Sequence, residues 1–335
     1  MQPTLRIVTV EESADQFKVW RTLPSYVDID NHPLSGGFAR NYYPLVFGKD
    51  RRDASFAVLK DENRDLIVLC SLGADVVDYY GQPIALFGDA VTGAGQNPSI
   101  DRAFDHLAAL AGMHRSLSIR ADERIPAISA ACSKRGFAAT QSFKGLCDLS
   151  MGEAGLRAAL RRSYRSLVNW GRRNLRMRFV NGSNPDHSAF SEYQAFHHRI
   201  AGRTTRPQDT WDAMYDWISR GNGELVLGYL GDELIAGTMI VDGRTTAYYA
   251  SGVYDRDHFD KPVGHWPTHI AILRSINRGM KWFEVGDIPA KGTVSNKEYN
   301  IGQFKKGFVT EIKPWTHWTL SRPEKHENNA HRDHA

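Results

Sequence analysis

Cysteine is scarce in this chain of 335 residues. Its three cysteines, Cys70, Cys132 and Cys147, are odd in number and sit in apolar segments, which argues against a disulfide framework and suits reduced thiols. Long apolar runs are also missing: none approaches the ~18 residues of a membrane-spanning helix. The opening MQPTLRIVTVEES has no basic stretch followed by an apolar one, so no cleaved export signal is expected. These absences predict a cytoplasmic protein with no integral membrane association. Nor is one sign of charge in large excess, with 42 Lys and Arg against 38 Asp and Glu, a net +4. Where the basic residues cluster therefore matters more than their total.

What is present is a globular composition, 41% hydrophobic and 24% charged, in a length that suits two domains and a substantial core. The basic residues do cluster. Arg157, Arg161, Arg162, Arg165, Arg172, Arg173, Arg176 and Arg178 follow one another without an intervening acid. Such a block suits phosphates, tRNA or a peripheral lipid surface, and equally a solvated helix face.

Strands and helices alternate throughout, the pattern of an α/β protein. Residues 5–10 form a short apolar strand, with a helix from about Glu11. The β-rich runs 56–59 and 66–69 flank a polar cluster and predict a hairpin. Residues 84–87 give another strand and 93–98 a loop. Ser99 is placed to cap a helix to about Gly112, with Phe104, Leu107, Ala108 and Ala111 on one face. A strand at 116–120, a helix at 126–134 stopped by Gly136, and one or two strands over 137–149 follow. A long helix is expected from about Glu153 to 178, carrying Leu156, Leu160, Tyr164 and Leu167 on one face and the arginines on the others. After helices at 186–201 and 208–219 comes a second hairpin, 225–230 and 234–241, around Gly231-Asp232. A strand at 245–253, a helix at 262–279, a buried strand at 282–285, the stretch 304–308 and a strand at 310–318 end the folded part. The polar segment 321–335 is expected to be disordered.

The two halves share a phrase. Lys134-Arg135-Gly136-Phe137 parallels Lys305-Lys306-Gly307-Phe308, and each leads into a long strand. One step earlier, Arg115-Ser116-Leu117-Ser118-Ile119 stands beside Lys281-Trp282-Phe283-Glu284-Val285. Hairpin, helix, strand, Gly-Phe step and strand make one programme used twice, which predicts duplicated halves at 1–150 and 151–320.

That programme resembles the GNAT acyltransferase fold. Two such halves joined by helices resemble the FemAB-type transferases and the related BioF2-like (CelD-like) families. The resemblance is carried by LRRSYRSLVNWGRRNLRMRF, TTAYYASGVY, KPVGHWPTHIAILRSINRGMKWFEVGD and QFKKGF. It implies tandem GNAT-like domains and transfer of an acyl or aminoacyl group, from acyl-CoA or aminoacyl-tRNA, to an amine.

Such a transfer needs a cradle for the donor's phosphates, help for the attacking amine and stabilisation of an oxyanion. GNAT enzymes hold pyrophosphate on backbone N–H groups at a helix start. The corresponding place here is Lys261-Pro262-Val263-Gly264-His265-Trp266. Gly264 is present, but Trp266 stands where a tiny residue is usual, which leans towards the aminoacyl-tRNA donor of the FemAB pattern. Lys305 corresponds to a cleft-facing lysine in FemAB-like enzymes and is expected to hold a phosphate or the oxyanion, with Lys306 beside it pointing elsewhere if the stretch is extended. Asp287, at the end of the strand WFEV, is a candidate to orient or deprotonate the amine. Tyr248 and Tyr249 alternate on their strand, and Tyr249 is the candidate for the reacting centre. Arg172 and Arg173 are assigned to phosphate, with Lys261, Gly264, His265 and Lys306 at the donor. His265 and His269 are four apart, yet no third ligand is evident and no metal site is expected.

The expected acceptors are an amine-bearing sugar or a nucleotide-linked, polysaccharide or cell-wall precursor. Two other readings stay open: an acetyl-CoA-dependent N-acetyltransferase of a small amine or sugar, and a tRNA-binding protein or degenerate transferase without turnover.

Overall fold

The computed structural model describes residues 3–10, 12, 37–92, 97–113, 115–122 and 126–321. The helix expected from about Glu11, most of the loop 93–98 and residues 322–335 lie outside them. The chain divides into two compact units, one drawn from Met1–Lys18, Asp50–Thr140 and Thr316–Ala335, the other from Val19–Lys49 and Gln141–Trp315. Division in space therefore differs from a single cut in sequence near residue 150.

In the first unit β1 (Leu5–Thr9), β3 (Phe56–Lys60), β4 (Asn63–Leu69) and β7 (Ala85–Phe87) form an antiparallel sheet in that order. The hairpin turn is only Asp61-Glu62, and both residues take positive φ, 49° and 63°. Short strands β2 (Arg52–Asp53), β5 (Ser71–Leu72) and β6 (Val76–Asp78) lead to β8 (Ser116–Asp122), which Ile119 joins to Ile84 by a parallel bridge. Helix α2 (Pro98–Ala111) starts one residue before the expected cap. Asn97, not Ser99, is its N-cap, accepting from the Ser99 N–H, because Pro98 fits the first helical position and needs no hydrogen-bond acceptor for its nitrogen. Helix α3 (Pro126–Lys134) and the Gly136-Phe137 step lead into β9 (Ala138–Asp148). Phe56, Ile84, Phe104, Leu107 and Ile119 centre the core.

The second unit repeats the programme. β10 (Arg176–Val180), β11 (Gly223–Leu230), β12 (Glu233–Asp242) and β13 (Thr246–Tyr254) run antiparallel, and β13 then pairs in parallel with β14 (Trp282–Asp287). β14 pairs antiparallel with β9, and β15 (Glu311–Leu320) follows in the strand order. Around the sheet lie α1 (Gly37–Phe47), α6 (His187–Ala201, capped by Asp186), α7 (Gln208–Ser219) and α8 (His265–Asn277). Fully buried side chains such as Trp211, Tyr193 and Phe283 anchor this core, each contributing about 1.5–3 kcal/mol or more. A buried ionic cluster fixes α8 on the hairpin. Glu224, wholly inaccessible, accepts from Arg274 at 2.6 and 2.7 Å and from Arg278 at 3.1 Å, and Arg278 also donates to Asp242.

The arginine block is not one helix. It breaks into α4 (Gly152–Ala159), α5 (Tyr164–Asn174) and β10. Leu160 turns to ψ 138° with its side chain buried, and the Arg161 N–H donates to the Gly307 carbonyl at 2.9 Å. Tyr164 then lies against Gly307, where an added Cβ would come within 2.0 Å of its ring. Tertiary contacts override the helical period. Beyond α5 the hydrophobic Met177 and Phe179 alternate with arginines and pair as a strand. The stretch 304–308 is not an extended element either. Phe304, Lys305 and Lys306 form the last turn of α9 (Asn296–Lys306), which opens with a capping box between Ser295 and Glu298.

Candidate active site

The parallel ladder between β13 and β14 has three rungs, Thr246 with Trp282, Ala247 with Phe283 and Tyr248 with Glu284. Beyond them β13 keeps its ladder with β12 to Tyr254, while β14 stays with β9 to Asp287. The two strands stop pairing at their C-terminal ends, where α/β sheets place ligand groups.

Gly286 sits at that opening with φ 84°. A Cβ there would lie 3.3 Å from Lys305 Nζ and 3.4 Å from the Tyr248 hydroxyl, so both side chains close on the glycine's free side. The Lys305 ammonium also lies over the Tyr249 ring, 5.3 Å from its centroid. Burial pushes the Lys305 pKa down from its ordinary value, opposed by Asp287 and then by Glu284. Asp287 is exposed, and across the β9–β14 ladder it stands opposite Lys144. Glu284 is 2% exposed, and its Oε2 lies 3.7 Å from Lys144 Nζ. Two lysines and two carboxylates thus gather where the ladder ends.

Tyr249 contributes its ring. Its hydroxyl is turned to Tyr254 Oη at 2.9 Å, which in turn bonds Thr238 and Thr268 at 3.0 Å each. Burial first, and then Tyr254, hold the Tyr249 phenol well above its usual range, so it stays protonated.

The start of α8 is crowded. A Cβ at Gly264 would meet the Tyr254 ring at 3.2 Å and the Phe304 ring at 3.3 Å. The His265 N–H donates to the Pro262 carbonyl at 3.2 Å, Pro267 has no N–H, and Trp266 packs so closely on α5 that a Cβ at Gly171 would come within 2.4 Å of it. Of the backbone N–H groups from Gly264 to Pro267, those of Gly264 and Trp266 make no backbone hydrogen bond, and these are the donors this helix start offers to an anion. The His265 ring stacks edge-on against Tyr164 at 4.5 Å and Phe304 at 5.2 Å, and burial lowers its pKa to about 4. It is therefore neutral at pH 7. Lys261 pairs with its neighbour Asp260 at 2.7 Å.

The structure brings Lys305, Asp287 and Tyr249 together and leaves Lys306 exposed on another side of its helix. Arg172 and Arg173 are exposed at the end of α5. Within the block, Arg157 donates to Asn169, Arg161 to the Gln303 carbonyl and Arg165 to the Ala158 carbonyl. Arg176 lies over Tyr229, and Arg178 pairs with Asp186. Lys144 and Glu284 were missed from sequence. Each stands as a charge beside apolar neighbours, Phe143-Lys144 and Phe283-Glu284-Val285, which is the signal that pointed to them.

Residues 153–299 match the acetyltransferase (GNAT) domain family. Among solved structures the chain is similar to FemX, with a TM-score of 0.60 and 12% identity over 86% of this chain and 93% of that one. It is also similar to a tandem GNAT protein from the clavulanic acid biosynthesis pathway (TM-score 0.59, 14% identity, 96% and 99% covered). A third similarity is to the C-terminal domain of a protein named as a lysylphosphatidylglycerol synthetase from Agrobacterium fabrum (TM-score 0.55, 14% identity, 76% and 81% covered). No curated protein matches the chain. The fold is that of a tandem GNAT protein, with two GNAT-like halves in one chain. No helix among the described residues is long and apolar enough to cross a membrane.

Proposed function

We propose that the second unit is an N-acyltransferase centre that passes an acyl or aminoacyl group to an amine. The observation that carries this reading is the Lys305 ammonium, desolvated at the open end of the β13–β14 ladder with Asp287 beside it. The amine nitrogen attacks the donor's carbonyl carbon and a C–N bond forms. The carbonyl oxygen becomes an oxyanion facing Lys305, and Asp287 accepts the proton the amine gives up. Collapse breaks the bond to the donor's sulfur or oxygen, which leaves and takes a proton.

For the donor, the crowded start of α8 favours an aminoacyl ester over a coenzyme A thioester. The name of the Agrobacterium protein, a lysylphosphatidylglycerol synthetase, points to an aminoacyl group and supports the same side. Arg172 and Arg173 are assigned to the donor's phosphates, and an amino sugar or a nucleotide-linked or cell-wall precursor is the acceptor. The second reading, an acetyl-CoA-dependent N-acetyltransferase, is favoured by the description of the matched domain. A protein that only binds tRNA is disfavoured, because most of the arginine block is spent on contacts within the chain.

Titration of the purified protein with acetyl-CoA, desulfo-CoA, charged tRNA and uncharged tRNA tests the donor. Saturable binding of charged over uncharged tRNA, with no binding of either CoA, is the expected result. Micromolar binding of acetyl-CoA would move the second reading ahead.

A further inference from the structure

Glu284 occupies the last rung of the β13–β14 ladder, directly beside Tyr248. Its carboxylate is buried, and an ionised carboxylate withdrawn from water costs several kcal/mol unless a partner offsets it. Lys144, itself 9% exposed, offers such a partner at 3.7 Å. A register shift in the β14–β9 ladder falls between Glu284 and Gly286. It leaves Val285 in the core and lets Gly286 turn to φ 84°. One residue further on, the Lys305 head closes on that glycine. Glu284 thus lies between the core and the opening, within the field of both lysines.

We propose that Glu284 is a positioning residue for the transfer, a fixed buried carboxylate that anchors Lys144 and holds the charged head of Lys305 at the open side of Gly286. The inference rests on the transferase reading for its purpose, but the arrangement can be measured without a substrate. Around Lys305 the charged and titratable groups are Glu284 and Asp287 from β14, Lys144 from β9, Tyr248 and Tyr249 from β13, and Lys306 on its own helix. Asp287 is exposed and screened by water and salt, whereas Glu284 is inside and is not. Lys144 pairs with Glu284, and Glu284 also acts on Lys305 through space, so removing either charge of the Lys144–Glu284 pair must change what Lys305 feels, and in opposite senses. A carboxylate that only fills space in the strand would give no such pair of effects.

The test follows the 13Cε resonances of isotope-labelled lysine across pH, with the Lys305 signal assigned by its loss in Lys305→Arg. Glu284→Gln is expected to shift the Lys305 midpoint down by about half a pH unit or more. Lys144→Met is expected to shift it up, because a positive charge that offsets Glu284 is removed and Lys305 then feels more of the carboxylate's field. Unmoved midpoints in folded variants overturn the proposal, and so does a shift of the same sign in both. If Glu284→Gln does not fold, Lys144→Met alone decides by the sign of its shift. In the transfer assay, the alkaline limb set by Lys305 should move to lower pH in Glu284→Gln. Opposite shifts without any transfer would leave the positioning intact and sink the transferase reading. Transfer with an unmoved Lys305 would do the reverse.

Discussion

Lys305 meets Tyr249 through the face of the ring, 5.3 Å from the ammonium to the centroid, while the Tyr249 hydroxyl is 2.9 Å from Tyr254 on the buried side. Ring and hydroxyl therefore have separate tasks. Tyr249→Phe should keep transfer within a few-fold of the parent and cost about 1 kcal/mol of stability, since Tyr254 retains Thr238 and Thr268. Tyr249→Leu removes the π face as well, a contact of about 0.5–2 kcal/mol for Lys305, and should lower transfer by roughly a further tenfold. Equal activity of the two variants would show that the ring does not support the lysine.

Gly286 is required twice, for its φ of 84° and for the space its missing side chain leaves. Gly286→Ala sets a methyl group 3.3 Å from Lys305 Nζ in a backbone conformation that costs an L-residue about 1 kcal/mol. The expected outcome is a small loss of stability in urea unfolding and a much larger loss of transfer. Loss of stability alone, with normal transfer, would remove Gly286 from the site.

Acid should unfold the protein partly through the second unit's histidines. Burial lowers the pKa of His269, 2% exposed, from 6.5 to about 4, with Arg157 adding to the effect, and burial lowers His265 likewise. As pH falls through about 6.5 the unfolded chain takes up these protons and the folded one does not until near 4. Stability therefore falls with pH across that window, by of order 3 kcal/mol for His269. Urea midpoints at pH 7, 5.5 and 4.5 should fall less steeply in His269→Gln than in the parent. Parallel curves would contradict this account.

Much of the fold was legible because local pattern and tertiary packing agree. The hairpins β3–β4 and β11–β12, the helices α6 and α7 and the strand β14 lie where alternation and helical period place them. The pattern failed where contacts distant in sequence decide. Tyr164 against Gly307 breaks the arginine helix, and the periodicity of 153–178 contains no sign of residue 307. The Gly-Phe echo is real in sequence, yet its glycines serve different ends. Gly136 takes φ 74°, whereas Gly307 has an ordinary φ of −72° and is small because Tyr164 covers it. Helix α9 has a readable start in Ser295 and Glu298, three apart. Lys305 and Asp287 stood out as candidates because Lys305 lies within the phrase QFKKGF that carries the resemblance and Asp287 ends the strand phrase WFEVGD. The Lys144–Glu284 pair joins residues well apart in sequence, and no local rule pairs them.

The measurement that tests the central claim most directly compares the parent with Lys305→Ala in donor turnover. Charged tRNA and acetyl-CoA are each offered with amino sugars and nucleotide-linked sugars as acceptors, and thermal unfolding is followed in parallel. The account predicts turnover with one of the donors and a loss of at least about tenfold in Lys305→Ala, with thermal unfolding unchanged. A folded Lys305→Ala that turns over like the parent would contradict it.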